Sequence, residues 1–288
     1  MVQMQPPLAD IAYRLAWRSS SVRSGAHKSR IAGTGGVFRD HASLLDQPDP
    51  RRIDIRLSAR DPFGRVFVRR FEQLSDVTVV AIIDISGSMG FKGVTRKQLL
   101  VADIVSALAA SARRIGDPFG VLACGDIVSE PLSATPTRAR RGESAMRDAI
   151  AAHSPSAHGT QGIREAAARL AGRKKVVFLI SDFQMQCDYV EEIFELLAFH
   201  DVVPILLSDS AEVEKLPEWG LMQLRDMETG KSRLVVMRPS LKREWKRRES
   251  ERREELNKIA SREGREIFEV RDEIDWDAFS AYLSRGTL

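Results

Sequence analysis

Between Val77 and Met89 the chain runs apolar and then stops abruptly in Asp84-Ile85-Ser86-Gly87-Ser88-Met89. Val77, Val79, Val80, Ala81, Ile82, Ile83 and Ile85 show no polar alternation, the pattern of a strand buried on both faces inside a parallel sheet. Directly after it come one carboxylate and two hydroxyls at alternate positions, followed by a helix. An open α/β sheet binds ligands in the crevice at the carboxyl ends of its strands, where the strand order reverses. Ligands that are oxygen only suit a hard divalent cation, Mg²⁺ before Zn²⁺.

From Val77 onward strand and helix signals alternate. Val94 to Arg114 reads as a long helix stopped by Gly116 and Pro118. Phe119 to Cys124 and Ile127 to Leu132 read as a hairpin-type pair around Gly125-Asp126. Arg140 to Ala152 is expected to be helical, and a polar loop from His153 to Gly159 leads to Thr160 and a helix ending at Leu170. Lys174 to Ile180 is a second buried strand, ending in Ser181-Asp182. Val190, Ile193, Phe194 and Leu197 lie at helical spacing on the next helix, and Val202 to Leu207 is a third buried strand. The expected fold is therefore a doubly wound, mostly parallel α/β sheet.

After Pro217 the series breaks. Leu221 to Met227 and Ser232 to Met237 flank Glu228-Thr229-Gly230-Lys231 and predict a hairpin inserted at residues 219–237. Leu241 to Arg262 is a charged helix with Glu244–Arg248, Glu249–Arg253 and Glu254–Lys258 at i, i+4. Gly264 would cap it. Ile267 to Val270 and Trp276 to Leu283 predict a last strand and a closing helix. Ahead of the α/β series, Pro6 to Trp17 suggests a short amphipathic helix through Leu8, Ile11 and Leu15. Arg18 to Gly36 is basic and Ser/Gly-rich, the composition of a solvated loop. Ile53 to Leu57 and Arg65 to Phe71 read as strands around the turn Asp61-Pro62-Phe63-Gly64. Residues 1–75 are thus expected to form a basic extension with short strands, and 76–288 the α/β domain.

At 288 residues and 43% hydrophobic, the chain can bury one large α/β core plus an appended segment. The 44 Lys and Arg face 40 Asp and Glu, so the mild net positive charge does not by itself point to nucleic acid. The two cysteines, Cys124 and Cys187, lack CxxC spacing, which argues against a disulfide framework or zinc cluster and for a reducing compartment. No apolar stretch is long enough to span a bilayer. A soluble cytoplasmic protein is expected.

Asp84, Ser86 and Ser88 cannot satisfy an octahedral ion alone. The loop carrying Thr160 and the one carrying Asp182 should reach the same crevice, giving two carboxylates and three hydroxyls. Asp84-x-Ser86-x-Ser88, a lone Thr160 in a Gly-containing loop, and Ser181-Asp182 after an apolar strand together resemble the metal-ion-dependent adhesion site of von Willebrand factor A domains. That resemblance implies a divalent cation, Mg²⁺ first with Mn²⁺ or Ca²⁺ as alternatives, held by Asp84, Ser86, Ser88, Thr160 and Asp182. The flanks narrow it. Gly25-x-His27-x-Ser29, Gly33-x-Gly35-x-x-Phe38, Arg52-Ile53-Asp54 with Ser58-Ala59-Arg60, and Val68-Arg69-Arg70-Phe71-Glu72 resemble the region before the A domain in bacterial MoxR-associated proteins. Asp226-Met227-Glu228-Thr229-Gly230 and Tyr282-Leu283-Ser284-Arg285 are similar to the same family. Ile55 departs from it, standing where Trp is usual, and His158 stands where a glycine often precedes the Gly-Thr. One branch resembles the MxaS-type proteins linked to maturation of methanol dehydrogenase.

The resemblance implies a non-enzymatic adaptor whose ion grips an acidic residue of a client or of a MoxR-type AAA+ ATPase. The alternatives are a Mg²⁺-dependent hydrolase or phosphotransferase, and a nucleic-acid binder using Arg18–Arg39 and the charged helix. Ser86 and Ser88 both fail the Gly-x-Ser-x-Gly elbow, and no phosphate-cradling Gly-x-x-x-x-Gly-Lys loop is present. The charged helix carries nearly as many glutamates as bases in its middle, which weakens the third reading.

Overall fold

A computed structural model describes residues 11, 13, 24–33, 37–139, 142–155, 159–212, 214–225, 227, 230–262 and 265–285. The chain divides into two units, residues 17–77 and the α/β unit from Thr78 onward, with the first sixteen residues grouped with the latter. Ile11 and Tyr13, expected within the extension, are buried against the second unit. The Ile11 carbonyl accepts from Ser111 and from Arg114 Nη2 (3.0 Å), and the Tyr13 hydroxyl donates to Asp117. Neither is helical, and the rest of the helix expected from Pro6 to Trp17 lies outside the described residues.

The smaller unit is a three-stranded antiparallel sheet, β1 (Ser24–Gly33), β2 (Val37–Ser43) and β3 (Phe67–Ser75), ordered β1-β3-β2, with a single helical turn α1 (Ile55–Ser58) before β3. This corrects two expectations. The basic stretch read as a solvated loop is a strand over Ser24–Gly33. Backbone pairing to β3 with two register shifts holds it, rather than any apolar pattern of its own. The expected strand at Ile53 to Leu57 is α1 instead, because Asp54 caps it: the Leu57 amide donates to Asp54 Oδ1 at 3.0 Å. Arg69 Nε and His41 Nε2 reach the other oxygen at 2.8 and 3.1 Å. The Arg69 guanidinium first, then the Leu57 amide and His41, hold this carboxyl well below the usual range.

The larger unit follows as β4 (Val79–Asp84), α2 (Lys97–Ile115), β5 (Phe119–Cys124), β6 (Ala134–Thr137), α3 (Glu143–Ala152), α4 (Gln161–Arg169), β7 (Val176–Ser181), α5 (Cys187–Leu197), β8 (Asp201–Ser208), the hairpin β9 (Gly220–Arg225) and β10 (Ser232–Met237), α6 (Pro239–Arg262), β11 (Phe268–Arg271) and α7 (Trp276–Ser284). Its sheet is ordered β11-β8-β7-β4-β5-β6, parallel throughout except for β6. This is the doubly wound, von Willebrand factor A-like architecture that the sequence predicts. The chain moves from β4 outward to β5 and later returns to β4's other side with β7, so the order reverses between β4 and β7. Val79 pairs with Phe119 on one side and Val176 on the other, which sets the carboxyl ends of β4 and β7 level.

All residues of β4, β7 and β8 are buried. At roughly 1.5–3 kcal/mol for each fully buried large aliphatic side chain, these three strands are the rigid floor beneath the crevice. Helix α2 ends at Gly116, whose φ of +89° suits a left-handed cap. The strand expected at Ile127 to Leu132 is not formed. Cys124 makes one bridge to Val128, a 3₁₀ turn follows at Glu130–Leu132 with Pro131 in its first positions, and the antiparallel partner of β5 is β6. Helix α6 buries only Leu256, Ile259 and Ala260. The expected pairs Glu244–Arg248 and Glu249–Arg253 form, whereas Lys258 bonds Glu255, one residue nearer than the expected Glu254. No described helix is long and apolar enough to cross a membrane.

Candidate metal centre

Asp84 is the last residue of β4 and is buried. Its Oδ1 accepts from the Ser86 amide at 2.8 Å, the local turn that aims the Asp-x-Ser-x-Ser segment out of the strand. Its Oδ2 accepts from Ser181 Oγ at 2.6 Å, at the end of β7. Ser86 Oγ lies 3.2 Å from Ser88 Oγ, and Ser88 Oγ donates to Asp182 Oδ1 at 3.1 Å. Hydrogen bonds thus tie Asp84, Ser86, Ser88 and Asp182 into one cluster at the switch point, with Ser181 as an added support. Thr160 stands half-buried immediately before α4, and its hydroxyl does not cap that helix. Its backbone is fixed at the β5 edge, since the Gly162 amide donates to the Gly125 carbonyl (2.9 Å) and Tyr189 Oη to the Thr160 carbonyl (3.0 Å). The bonds of the cluster do not extend to Thr160. His158 lies outside the described residues.

The electrostatics fit a cation. Burial pushes the Asp84 carboxyl up to about 7, and the negative charge of Asp182 adds to the rise, against the donors Ser181 and Ser86. Two carboxylates held together in a dry crevice repel, and a divalent ion between them would relieve that repulsion. All five candidate ligands are oxygen donors, three of them neutral hydroxyls, which suits Mg²⁺ or Mn²⁺ rather than a thiolate-loving metal.

Four residues that the sequence pattern does not single out, Lys97, Glu212, Asp209 and Gln98, complete the surroundings. Lys97, the first residue of α2, is fully buried and places its ammonium 2.8 Å from Asp182 Oδ2 and 2.6 Å from Glu212 Oε1. Burial alone would lower its pKa, but Asp182 and Glu212 outweigh it and hold it above the usual value. Asp209, just past β8, accepts from the amides of Val94 (2.8 Å) and Thr95 (3.2 Å) and so anchors the segment between the ligand loop and α2. Ser208-Asp209 after the third buried strand repeats Ser181-Asp182 after the second, a signal that was available in the sequence. Gln98, beside Lys97, donates to the Met89 carbonyl. Framing the mouth, a Cβ built on Gly90 would lie 3.4 Å from the Pro155 carbonyl and 3.6 Å from Met227 at the hairpin turn.

Gly93 is required by that anchoring, since a Cβ there would meet the Asp209 carboxylate at 2.3–2.4 Å. Gly93→Ala should therefore lower stability by about 1–3 kcal/mol by displacing Asp209 from two amides. Chemical denaturation reads this directly, and an unchanged midpoint would show that the segment relaxes freely.

The family described as "Protein of unknown function DUF58" matches residues 48–255, well over half of the chain. The chain belongs to the DUF58 family. Uncharacterized proteins of Mycobacterium tuberculosis and Mycobacterium bovis are each 26% identical to this DUF58 chain over 282 residues, covering 93% of it and 86% of themselves. Among solved structures, the conserved hypothetical protein BatB from Bacteroides thetaiotaomicron is 16% identical with a TM-score of 0.43, over 72% of this chain and 95% of that one. An aerotolerance-related membrane protein from Bacteroides fragilis is 16% identical with a TM-score of 0.40, over 72% and 98%. The fold of this DUF58 protein stands on its own strand order and register.

Proposed function

We propose that this protein is a non-enzymatic adaptor that uses a divalent ion, Mg²⁺ first, to grip an acidic residue of a partner protein. The observation that carries this reading is the convergence of Asp84, Ser86, Ser88 and Asp182, from two strands nearly a hundred residues apart, into one hydrogen-bonded cluster at the switch point. When bound, the ion supplies a Lewis-acidic position open to an external carboxylate. In this reading Asp84 and Asp182 orient the site, Ser86 and Ser88 contribute neutral dipoles, and Thr160 is the fifth oxygen ligand.

The partner is proposed to be a MoxR-type AAA+ ATPase, with a client enzyme whose assembly or metal insertion it drives. Methanol dehydrogenase is the client that the MxaS-type resemblance indicates. What supports this finer reading is the sequence similarity of the segments flanking the α/β core. Cytoplasmic placement is proposed from the same partnership. Pull-down of a MoxR-type AAA+ ATPase from the same organism tests the reading. The complex should weaken at least tenfold in EDTA, recover with Mg²⁺, and be lost with Ser86→Ala while the circular dichroism spectrum is unchanged. A complex indifferent to both treatments would place recognition elsewhere.

A further inference from the structure

Lys97 is a fully buried charge, paired with two carboxylates, that the adaptor reading leaves without a role. It sits at the first position of α2, where the helix dipole disfavours a cation and no acidic residue lies in the first turn to compensate. Its side chain is fully buried, as is that of Asp182 to within 2%, and Glu212 is mostly buried. Ion pairs this deep are poor stabilisers, because desolvation offsets most of the attraction. Local helix energetics and global stability therefore both leave the lysine unexplained.

The geometry explains it. The two oxygens of Asp182 have different partners: Oδ1 accepts from Ser88 Oγ and the Gln184 amide, whereas Oδ2 is taken by Lys97. Only Oδ1 therefore faces the hydroxyl cluster. The first turn of α2 holds the opposite side of the same loop through Gln98 and the Met89 carbonyl, while Met89's own amide bonds the Ser86 carbonyl at 3.2 Å. Charge follows the same plan. With Asp84 ionised, Asp84, Asp182 and Glu212 contribute three negative charges and Lys97 one positive. These bonded side chains total minus two, matched by one divalent ion, and Asp209, whose charge also acts on Lys97, is held by the amides of Val94, Thr95 and Ala211.

We propose that Lys97 is a built-in cation of the ion site, positioning Asp182 through Oδ2 and offsetting Glu212, so that the ion binds reversibly and the loaded site presents no net negative charge to an incoming carboxylate. Lys97 and Glu212 are positioning and tuning residues, not ligands. This rests on the reading of the cluster as a divalent-ion site. Without Lys97 the loaded site would carry a negative charge, which holds the ion more tightly and repels an acidic partner. Without the charge of Glu212 the reverse holds. One unit of charge a few ångström away in a partly dry site changes affinity by about tenfold.

The test is titration calorimetry of the full chain with Mn²⁺ alone, with folding checked by circular dichroism. Lys97→Met should lower the Mn²⁺ Kd about tenfold and Glu212→Gln should raise it severalfold. Opposite shifts are the decisive readout, because a purely structural lysine would weaken the site in both variants. Both variants weaker, or either unchanged, would overturn the proposal. If Lys97→Met does not fold, Lys97→Gln, which keeps a polar group against Asp182, replaces it: a lowered Kd supports the proposal, and an unchanged or raised one overturns it. If the wild-type protein binds no Mn²⁺, the ion-site reading itself falls and takes this inference with it, an outcome distinct from normal wild-type binding with unresponsive variants.

Discussion

Asp84→Asn should abolish divalent-ion binding and at the same time make the ion-free protein more stable at pH 8. Burial, reinforced by Asp182, raises the Asp84 carboxyl from its ordinary 3.8 to about 7 in the folded chain. Between those values the folded state binds more protons than the unfolded state, so stability falls as pH rises through this window, and the full cost is present above pH 7. A rise of about three units corresponds to a cost on the order of 2–4 kcal/mol. Asparagine carries no charge to desolvate, can still accept from the Ser86 amide, and can turn its amide toward Ser181 Oγ. The variant should therefore melt about 5–10 °C above ion-free wild type at pH 8, with the gap closing toward pH 4. Loss of the carboxylate should cost at least about a hundredfold in Mn²⁺ affinity. In the wild type, proton competition should weaken Mn²⁺ binding by about tenfold for each pH unit below 7. Melting curves at pH 5 and 8, with and without Mn²⁺, separate these effects. A variant less stable than wild type at pH 8, or one that still binds Mn²⁺ normally, would refute this account of the aspartate.

The same aspartate shows what the sequence makes legible. An unbroken apolar run can be satisfied only by burial on both faces, so β4, β7 and β8 follow almost residue for residue from their composition. Polar residues placed at the ends of such strands inherit that certainty, which is why Asp84, Ser86, Ser88 and Asp182 meet as expected. Elements whose existence depends on a partner rather than on their own pattern were harder to read. The basic, glycine-bearing β1 is a strand only because β3 offers it a ladder. Residues 53–57 carry alternating character, but the single Asp54 cap converts them to a helical turn. The antiparallel partner of β5 is displaced to Ala134–Thr137 because Pro131 favours a 3₁₀ turn where a strand was expected. Lys97 was invisible for a further reason. A lysine at the head of an apolar helix looks like a solvated end residue, and only its distance to Asp182 and Glu212 shows that it faces inward.

The second large effect lies at the opposite ends of the strands. Arg265, after α6, grips Asp201 at the start of β8 with Nε to Oδ1 at 3.0 Å and Nη2 to Oδ2 at 3.3 Å, both side chains almost fully buried. This two-pronged pair spans 64 positions, so no local pattern could announce it. Removing the guanidinium takes the two-pronged partner from a buried carboxylate, and Arg265→Met should cost about 3–5 kcal/mol, or about 10 °C in melting temperature. Removing both should be milder: Arg265→Met with Asp201→Asn should recover a large part of the loss, because the stranded carboxylate is gone. Since Asp201 begins β8 and the ion site lies beyond the carboxyl ends of β4 and β7, Mn²⁺ affinity of folded Arg265→Met should match wild type. Urea midpoints for the two single variants and the double variant provide the cycle, and Mn²⁺ titration at low temperature provides the control. A single variant that loses less than about 1 kcal/mol would mean that water reaches Asp201 and that the pair is ordinary surface charge. A double variant no more stable than Arg265→Met would mean that the arginine acts by packing alone.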